Sequence, residues 1–303
     1  MSTVHVIHDN PDWLPPFRAA FETEGVPLRE WLLTSGSFDL AELPPDGVFW
    51  SRLSASAHTR GPDHVKDYGR AVLAWLESHG RTVVNGRSVI ELEMSKVAQY
   101  SALRRCGIAV PRTVAVFGTA DLIRRSEEFS APFVCKHNQG GKGLGVRRFD
   151  DHASFAEFVG SPESELPVDG ITLLQEFVES AGGFITRAEF VDGEFVYAVR
   201  VDTSAGNFEL CPADACAVPG STPLFSLRDD AKSLPIIPQL SRFLTAHGIG
   251  IAGVEFIETA DGSVFTYDVN TNTNYSPDVE AVAPRSGPRE IARYLGDLAS
   301  ASA

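Results

Sequence analysis

The chain has 303 residues, 43% hydrophobic and 22% charged, enough apolar surface for a sizeable core spread over two or three domains. Its 26 Lys and Arg against 40 Asp and Glu leave a formal charge of −14. That balance excludes a general attraction to nucleic acid or to an anionic membrane, so any bound anion must be held by local positive groups.

No stretch approaches the roughly 20 uninterrupted apolar residues that span a bilayer. The start, MSTVHVIHDNPDWLPP, lacks the basic-then-apolar pattern of a secretion signal. Cys106, Cys135, Cys211 and Cys216 form neither a disulfide framework nor a zinc spacing. The expectation is a cytoplasmic protein with reduced thiols in its core.

Residues 1–86 alternate strand-like and helix-like segments: His5–His8, Trp13–Glu24, Gly47–Ser51, Asp63–His79 and Thr82–Asn85. This β/α alternation predicts an open parallel sheet. A second unit, 87–170, opens with a helix over 88–106 that stops at Gly107, then reads strand 113–117, helix 120–128, strand 133–137, a glycine-rich loop, strand 146–149 and helix 152–159. A third, 171–303, is a β meander whose first hairpin turns at Asp192-Gly193, followed by a second hairpin, a helix over 236–247, a further hairpin around Asp261-Gly262 and a helical tail over 288–298.

Three segments carry chemistry. In KHNQGGKGLGV, Gly140, Gly141, Gly143 and Gly145 let backbone N–H groups wrap an anion, and Lys136 and Lys142 add charge. The loop lacks GxxxxGK[ST] and runs into a strand instead of a helix, so it is neither a P-loop nor a Rossmann loop; a plain glycine-rich hairpin is the alternative. Next, Asp268 and Asn270 share one strand face, and the preceding hairpin can set Glu255 opposite them, a hard-oxygen trio suited to Mg²⁺ bridged to phosphates; a solvated strand edge is the bland reading. Third, ITLLQEFVE ends an apolar strand in Gln175, Glu176 and Glu179, where a strand edge can pair with a purine, an exposed strand end being the plainer reading of the segment alone, while Arg187 and Arg200 on the arms of the first hairpin can clamp an anion or form surface ion pairs.

Taken in order, NGRSVIELEMSK, LRRCGIAVPRT, the Lys136 strand and loop, QEFVE, the arginine hairpin and GVE…DVN resemble the ATP-grasp superfamily, in particular its RimK-like ligase branch, from about residue 84 to 276. The resemblance implies a fold of mixed α/β and α+β type, an N-terminal open α/β domain followed by two α+β subdomains clasping ATP. It implies ATP contacts from Lys96, Lys136, Gln139, Gly140, Gly141, Lys142, Gly143, Gly145, Gln175, Glu176, Phe177, Val178 and Glu179. Glu255, Asp268 and Asn270 would hold two Mg²⁺ ions, replaceable by Mn²⁺, and Arg187 and Arg200 would be the catalytic pair at the phosphoryl group. The acids are exchanged relative to the usual GVD and E-V-N, and the following NTNTNYSPD departs from the family's small residues.

The implied activity joins a carboxylate to an amine through an acyl phosphate; intramolecular cyclisation and a non-catalytic ATP-binding regulator are the rivals. Substrates are small carboxylates and amines, amino acids or a peptide among them, with no nucleic acid or membrane partner and with self-association left open. Candidate substrate residues are Ser51, Arg52, Ser54, Ser56, His58 and Arg60 at the end of a strand, Asp214 in CPADAC, and Asn272, Asn274 and Tyr275.

Overall fold

The apolar runs of the first 86 residues become four parallel strands, β1 (Val4–His8), β2 (Leu28–Leu32), β3 (Val48–Arg52) and β4 (Thr82–Val84), ordered β2-β1-β3-β4. The computed structural model describes residues 2–61, 64–141, 143, 145–203 and 224–301. Every residue of β1 and β3 is buried, as expected of parallel strands covered on both faces. Helix α1 (Pro15–Glu24) packs Phe17 and Phe21 with Val4, Val6 and Trp50. Helix α2 (Val65–Ser78) packs Val72, Leu73 and Leu76 with Ile7 and Phe49 on the other side. Strand β2 was not anticipated, because LREWL lies half-exposed at the sheet edge and shows little apolar signal.

The helix expected over 88–106 is two helices, α3 (Arg87–Glu93) and α4 (Lys96–Arg105). The break falls at Ser95, whose hydroxyl accepts from Ala98 N as an N-cap, while Asn138 Oδ1 accepts from Val97 N. A four-stranded antiparallel sheet follows from β5 (Thr113–Phe117), β6 (Phe133–His137), β7 (Arg147–Phe149) and β8 (Ile171–Glu176), ordered β5-β8-β6-β7. Helices α5 (Leu122–Ser126) and α6 (His152–Val159) flank it. Strand β8, with which the expected third unit opens, therefore hydrogen-bonds into the sheet of the second.

Strands β9 (Phe184–Val191), β10 (Glu194–Asp202), β11 (Phe225–Leu227), β12 (Ile251–Glu258) and β13 (Val264–Asn270) form the last sheet, ordered β11-β10-β9-β12-β13. The β9–β10 turn has positive φ at both Asp192 (52°) and Gly193 (73°), as a tight right-twisted hairpin needs. Helix α7 (Ile236–Ala246) covers one face, packing Leu240, Phe243 and Leu244 on Ala188, Phe190 and Phe256. After the short α8 (Pro277–Glu280), α9 (Gly287–Ala301) returns to the first domain, where Ile291, Ala292, Leu295 and Ala299 join the core of β1, β3 and α1. No helix among the described residues is long and apolar enough to cross a membrane. Cys135 is buried and free, whereas Cys106 is exposed, so only the first fits the expected core thiol; Cys211 and Cys216 lie outside the described residues.

Candidate active site

A cleft of about 320 Å³ runs between the second and third sheets and reaches the C-terminal end of β3. One end is apolar, walled by Val134, Val146, Ile185 and Ile257, with Glu176, Phe177 and Val178 passing along it; the shape and backbone edge suit a flat heterocycle. Glu176 Oε1 accepts from Arg112 N at 2.6 Å, which fixes that chain segment. Gln175 also lines the cleft and donates to Tyr100 Oη and Thr113 Oγ1.

The middle of the cleft is charged. The β9–β12–β13 register puts Arg187 opposite Glu255 and Glu255 opposite Asp268, so all three side chains share one face. Lys96 Nζ lies 2.7 Å from Asp268 Oδ1. Arg187 is 2.9 Å from Glu255 Oε1, 2.7 Å from Glu189 Oε1 and 2.6 Å from Thr273 Oγ1. Tyr267 donates to Glu255 Oε2 at 2.9 Å, and Asn270 reaches Glu255 at 3.4 Å. Lys136, buried beside them, donates to Tyr100 Oη at 2.5 Å. Burial raises the Glu255 carboxyl above the ordinary range, with Arg187 opposing. Burial, then the neighbouring Lys96, lowers Lys136 to about 7. Glu255 and Asp268 are thus each matched by a cation beside them, Arg187 and Lys96, and their oxygens with that of Asn270 are of the hard type that magnesium favours.

Gly140, Gly141 and Gly143 line the same cleft. Gln139 does not: it is buried behind the loop, donating to Ala55 O and accepting from Lys66. Gly145 sits against the His137 ring in a second groove, and Lys142 lies outside the described residues. Glu179 is exposed and is not among the residues lining the cleft, though Val178 and Ser180 on either side of it are. Arg200 is also displaced. It pairs across from Thr186, the neighbour of Arg187, so alternation turns it to the opposite face, where it meets Asp230 at 3.6 Å.

Of the candidate substrate residues, Asn272 and Asn274 line the cleft together with Ser54, Ser56 and Trp13. Ser51 is buried within β3. Arg52 is buried too, bonded to Thr273 O and Asn274 Oδ1 and lying 4.1 Å from the Phe17 ring. Tyr275 belongs to the core beside Phe17 and Tyr197. His58 borders the second groove, with Nδ1 on Ala55 O. Arg60 stands behind the cleft wall, paired with Asp9 at 2.9 Å, and Asp214 lies outside the described residues. Sequence reasoning missed Glu93, a partly buried cleft carboxylate accepting from Thr271 N, Thr271 Oγ1 and Ala55 N. A glutamate ending an amphipathic helix gives no signal of this, since its partners lie 38 and 178 positions away.

Comparison with known proteins agrees with this geometry. A family model described as a RimK-like ATP-grasp domain matches residues 94–283. Among curated relatives, a Pseudoalteromonas atlantica protein named "Probable alpha-L-glutamate ligase 2" is 26% identical over 75% of this chain and 70% of its own. A Parasynechococcus marenigrum protein named "Probable alpha-L-glutamate ligase" is 25% identical over 76% of this chain, which spans only 47% of that relative. Among solved structures, a RimK domain ATP-grasp protein of Sphaerobacter thermophilus superposes with a TM-score of 0.70 at 19% identity, covering 97% of this chain and 99% of that one. The macrocyclase MdnC of Microcystis aeruginosa, bound to its precursor peptide, gives 0.65 at 15% identity, covering 99% and 100%.

Proposed function

Because the chain belongs to the RimK-like ATP-grasp family, we propose that it is an ATP-dependent ligase that activates a carboxylate as an acyl phosphate and passes the acyl group to an amine, releasing ADP and phosphate. The observation that carries this reading is the set of Lys96, Lys136, Arg187, Glu255 and Asp268 gathered in one cleft, between an apolar slot and the Ser54–Asn274 end. In it Lys96, Lys136 and the backbone of Gly140, Gly141 and Gly143 meet the phosphates, and Glu176–Val178 edge the adenine.

Glu255, Asp268 and Asn270 would hold two Mg²⁺ ions, and Mn²⁺ would substitute because the ligands are hard oxygens. The metal supplies neutralisation of phosphate charge. Arg187, bonded to Glu189, Glu255 and Thr273, fixes the orientation of Glu255 and lends positive charge to the transfer point. Lys96 and Arg187 hold the carboxylates apart from water until nucleotide arrives. Dependence on ATP puts the working place in the cytoplasm, and the substrates are a small carboxylate and an amine, with L-glutamate the first to try given the names of the relatives.

The test is ADP release with Mg²⁺-ATP against amino acids and small carboxylates, singly and in pairs, with Lys136→Ala as control. Release that needs a pair and vanishes in the control is expected. Release with one compound alone would mean either self-ligation or internal cyclisation, which the mass of the product separates, and nucleotide binding with no release in any pairing would sink the ligase.

A further inference from the structure

At the substrate end of the cleft, two arginines that do not line it hold side chains that do. Arg60 donates from Nη1 to Ser56 Oγ at 2.9 Å and from Nη2 to Ser54 Oγ at 2.6 Å and Asp9 Oδ1 at 2.9 Å. Ser54 passes its own proton to Asp9, 3.2 Å away. Ser56 Oγ thus accepts from Arg60, which directs its own proton elsewhere, and its contact with Ser54 Oγ, 3.4 Å, is long for a hydroxyl bond.

The second case has the same logic. Arg52 donates from Nη2 to Asn274 Oδ1 at 2.9 Å, which fixes the amide so that Nδ2 points away from the guanidinium. Among the described residues Asn274 Nδ2 has no acceptor. Both arginines touch Trp13, Arg52 at its carbonyl (3.4 Å) and Arg60 over its ring (4.6 Å), so the two donors border one stretch of cleft wall. A third cleft residue, Asn272, is 8% exposed, and neither Oδ1 nor Nδ2 finds a partner. Buried amides in that state are uncommon and call for a ligand or a rearrangement. Ser56 also touches the phosphate loop, since a Cβ on Gly141 would stand 3.4 Å from its Oγ.

We propose that Ser56 Oγ–H and Asn274 Nδ2–H, each held by an arginine hydrogen-bonded to the same side chain's oxygen, bind a substrate carboxylate beside the phosphate loop. The site takes the carboxylate through neutral donors while Asp9 balances Arg60, so it suits the carboxylate of a free amino acid or of a peptide C terminus, and discriminates against the matching carboxamide. This assignment rests on the ligase reading.

Asn274→Asp is the informative variant, because it keeps an oxygen for Arg52 while replacing the ligand-facing donor by a second anionic oxygen. Protein loaded with Mg²⁺ and AMPPNP is titrated calorimetrically with free L-amino acids, their carboxamides, and tripeptides with free or amidated C termini; the free-acid arms distinguish small molecule from peptide. Expected are binding of at least one free acid but not its amide, a loss of at least about tenfold in Asn274→Asp and a smaller loss in Ser56→Ala that Ser56→Thr restores, with AMPPNP affinity kept within about twofold throughout. Equal binding of acid and amide, unchanged affinity in Asn274→Asp, or no free acid bound by the wild type would each overturn the subsite. ADP release measured in parallel separates the two readings. Turnover indifferent to Asn274→Asp leaves the ligase and removes the subsite, and acid-selective binding without turnover does the reverse.

Discussion

Replacing Lys136 by Met should stabilise the free protein while abolishing its use of nucleotide. The ammonium is 5% exposed, donates only to Tyr100 among the described residues, and lies near Lys96, with Asp268 and Glu255 offsetting part of the cost. A tenfold change in proton affinity is worth about 1.4 kcal/mol, so lowering this lysine from 10.5 to about 7 corresponds to about 5 kcal/mol of penalty as an upper bound. Met removes that penalty and loses one hydrogen bond of about 1 kcal/mol. Tyr100 stays bonded to Gln175 and to Tyr267 O. A net gain of about 2–4 kcal/mol should raise Tm by about 4–8 °C for a chain of this size.

The pH dependence has a definite sign. Between the folded value near 7 and the unfolded value of 10.5 the unfolded chain binds the extra proton, so wild-type stability rises with pH through that window. The gap between variant and wild type should be widest below pH 7 and close toward pH 10. Differential scanning calorimetry from pH 6 to 10, with and without Mg²⁺-ATP, reads both; a variant that melts below wild type at pH 7, or a gap independent of pH, refutes the argument.

Arg187→Met should cost about 3–5 kcal/mol in urea denaturation, because it strands Glu189 and Glu255 as buried carboxylates. Arg200→Met, which loses an exposed pair with Asp230 and a cation–π contact with Phe184, should cost no more than about 1 kcal/mol and leave ADP release within about twofold; a large loss of turnover there would return Arg200 to the site. Glu93→Gln should cost about 1–3 kcal/mol despite equal size, since every partner of Glu93 donates and an amide offers one of them a second donor. A silent Glu93→Gln in thermal melts would show that these bonds do not hold the two loops. Ser95→Ala, which removes the cap between α3 and α4, should cost about 1 kcal/mol by the same denaturation.

The parts legible in the sequence were those governed by local pattern. Strand β6 and helix α6 begin and end where the sequence pattern puts a strand over 133–137 and a helix over 152–159. The Asp192-Gly193 turn declares itself because few residue pairs accept two positive φ angles. Lys96, Lys136, Glu255, Asp268 and Asn270 were found through ordered motifs, and one cleft gathers them. What escaped depends on register and on distant partners. Arg187 and Arg200 look equivalent on two arms of a hairpin, and only the pairing of Arg200 with Thr186 separates them. Arg52 reads as an anion ligand in SRLSASAHTR, but the fold spends it on Thr273 and Asn274, 221 and 222 positions away.

The return of α9 to the first domain bears on how the chain is made. Strands β1 and β3 expose the face that carries Val4, Val6, Val48 and Trp50, and part of its cover, Ile291, Leu295 and Ala299, is synthesised only after both later sheets. A ribosome working at about 5–20 residues per second therefore leaves that apolar face incomplete for on the order of 10 seconds or more. During that interval the nascent N-terminal sheet is a natural client for a chaperone, and the closing of α9 over it, sealed by Arg289 and Arg293 on Glu24, is the step that retires it from that risk.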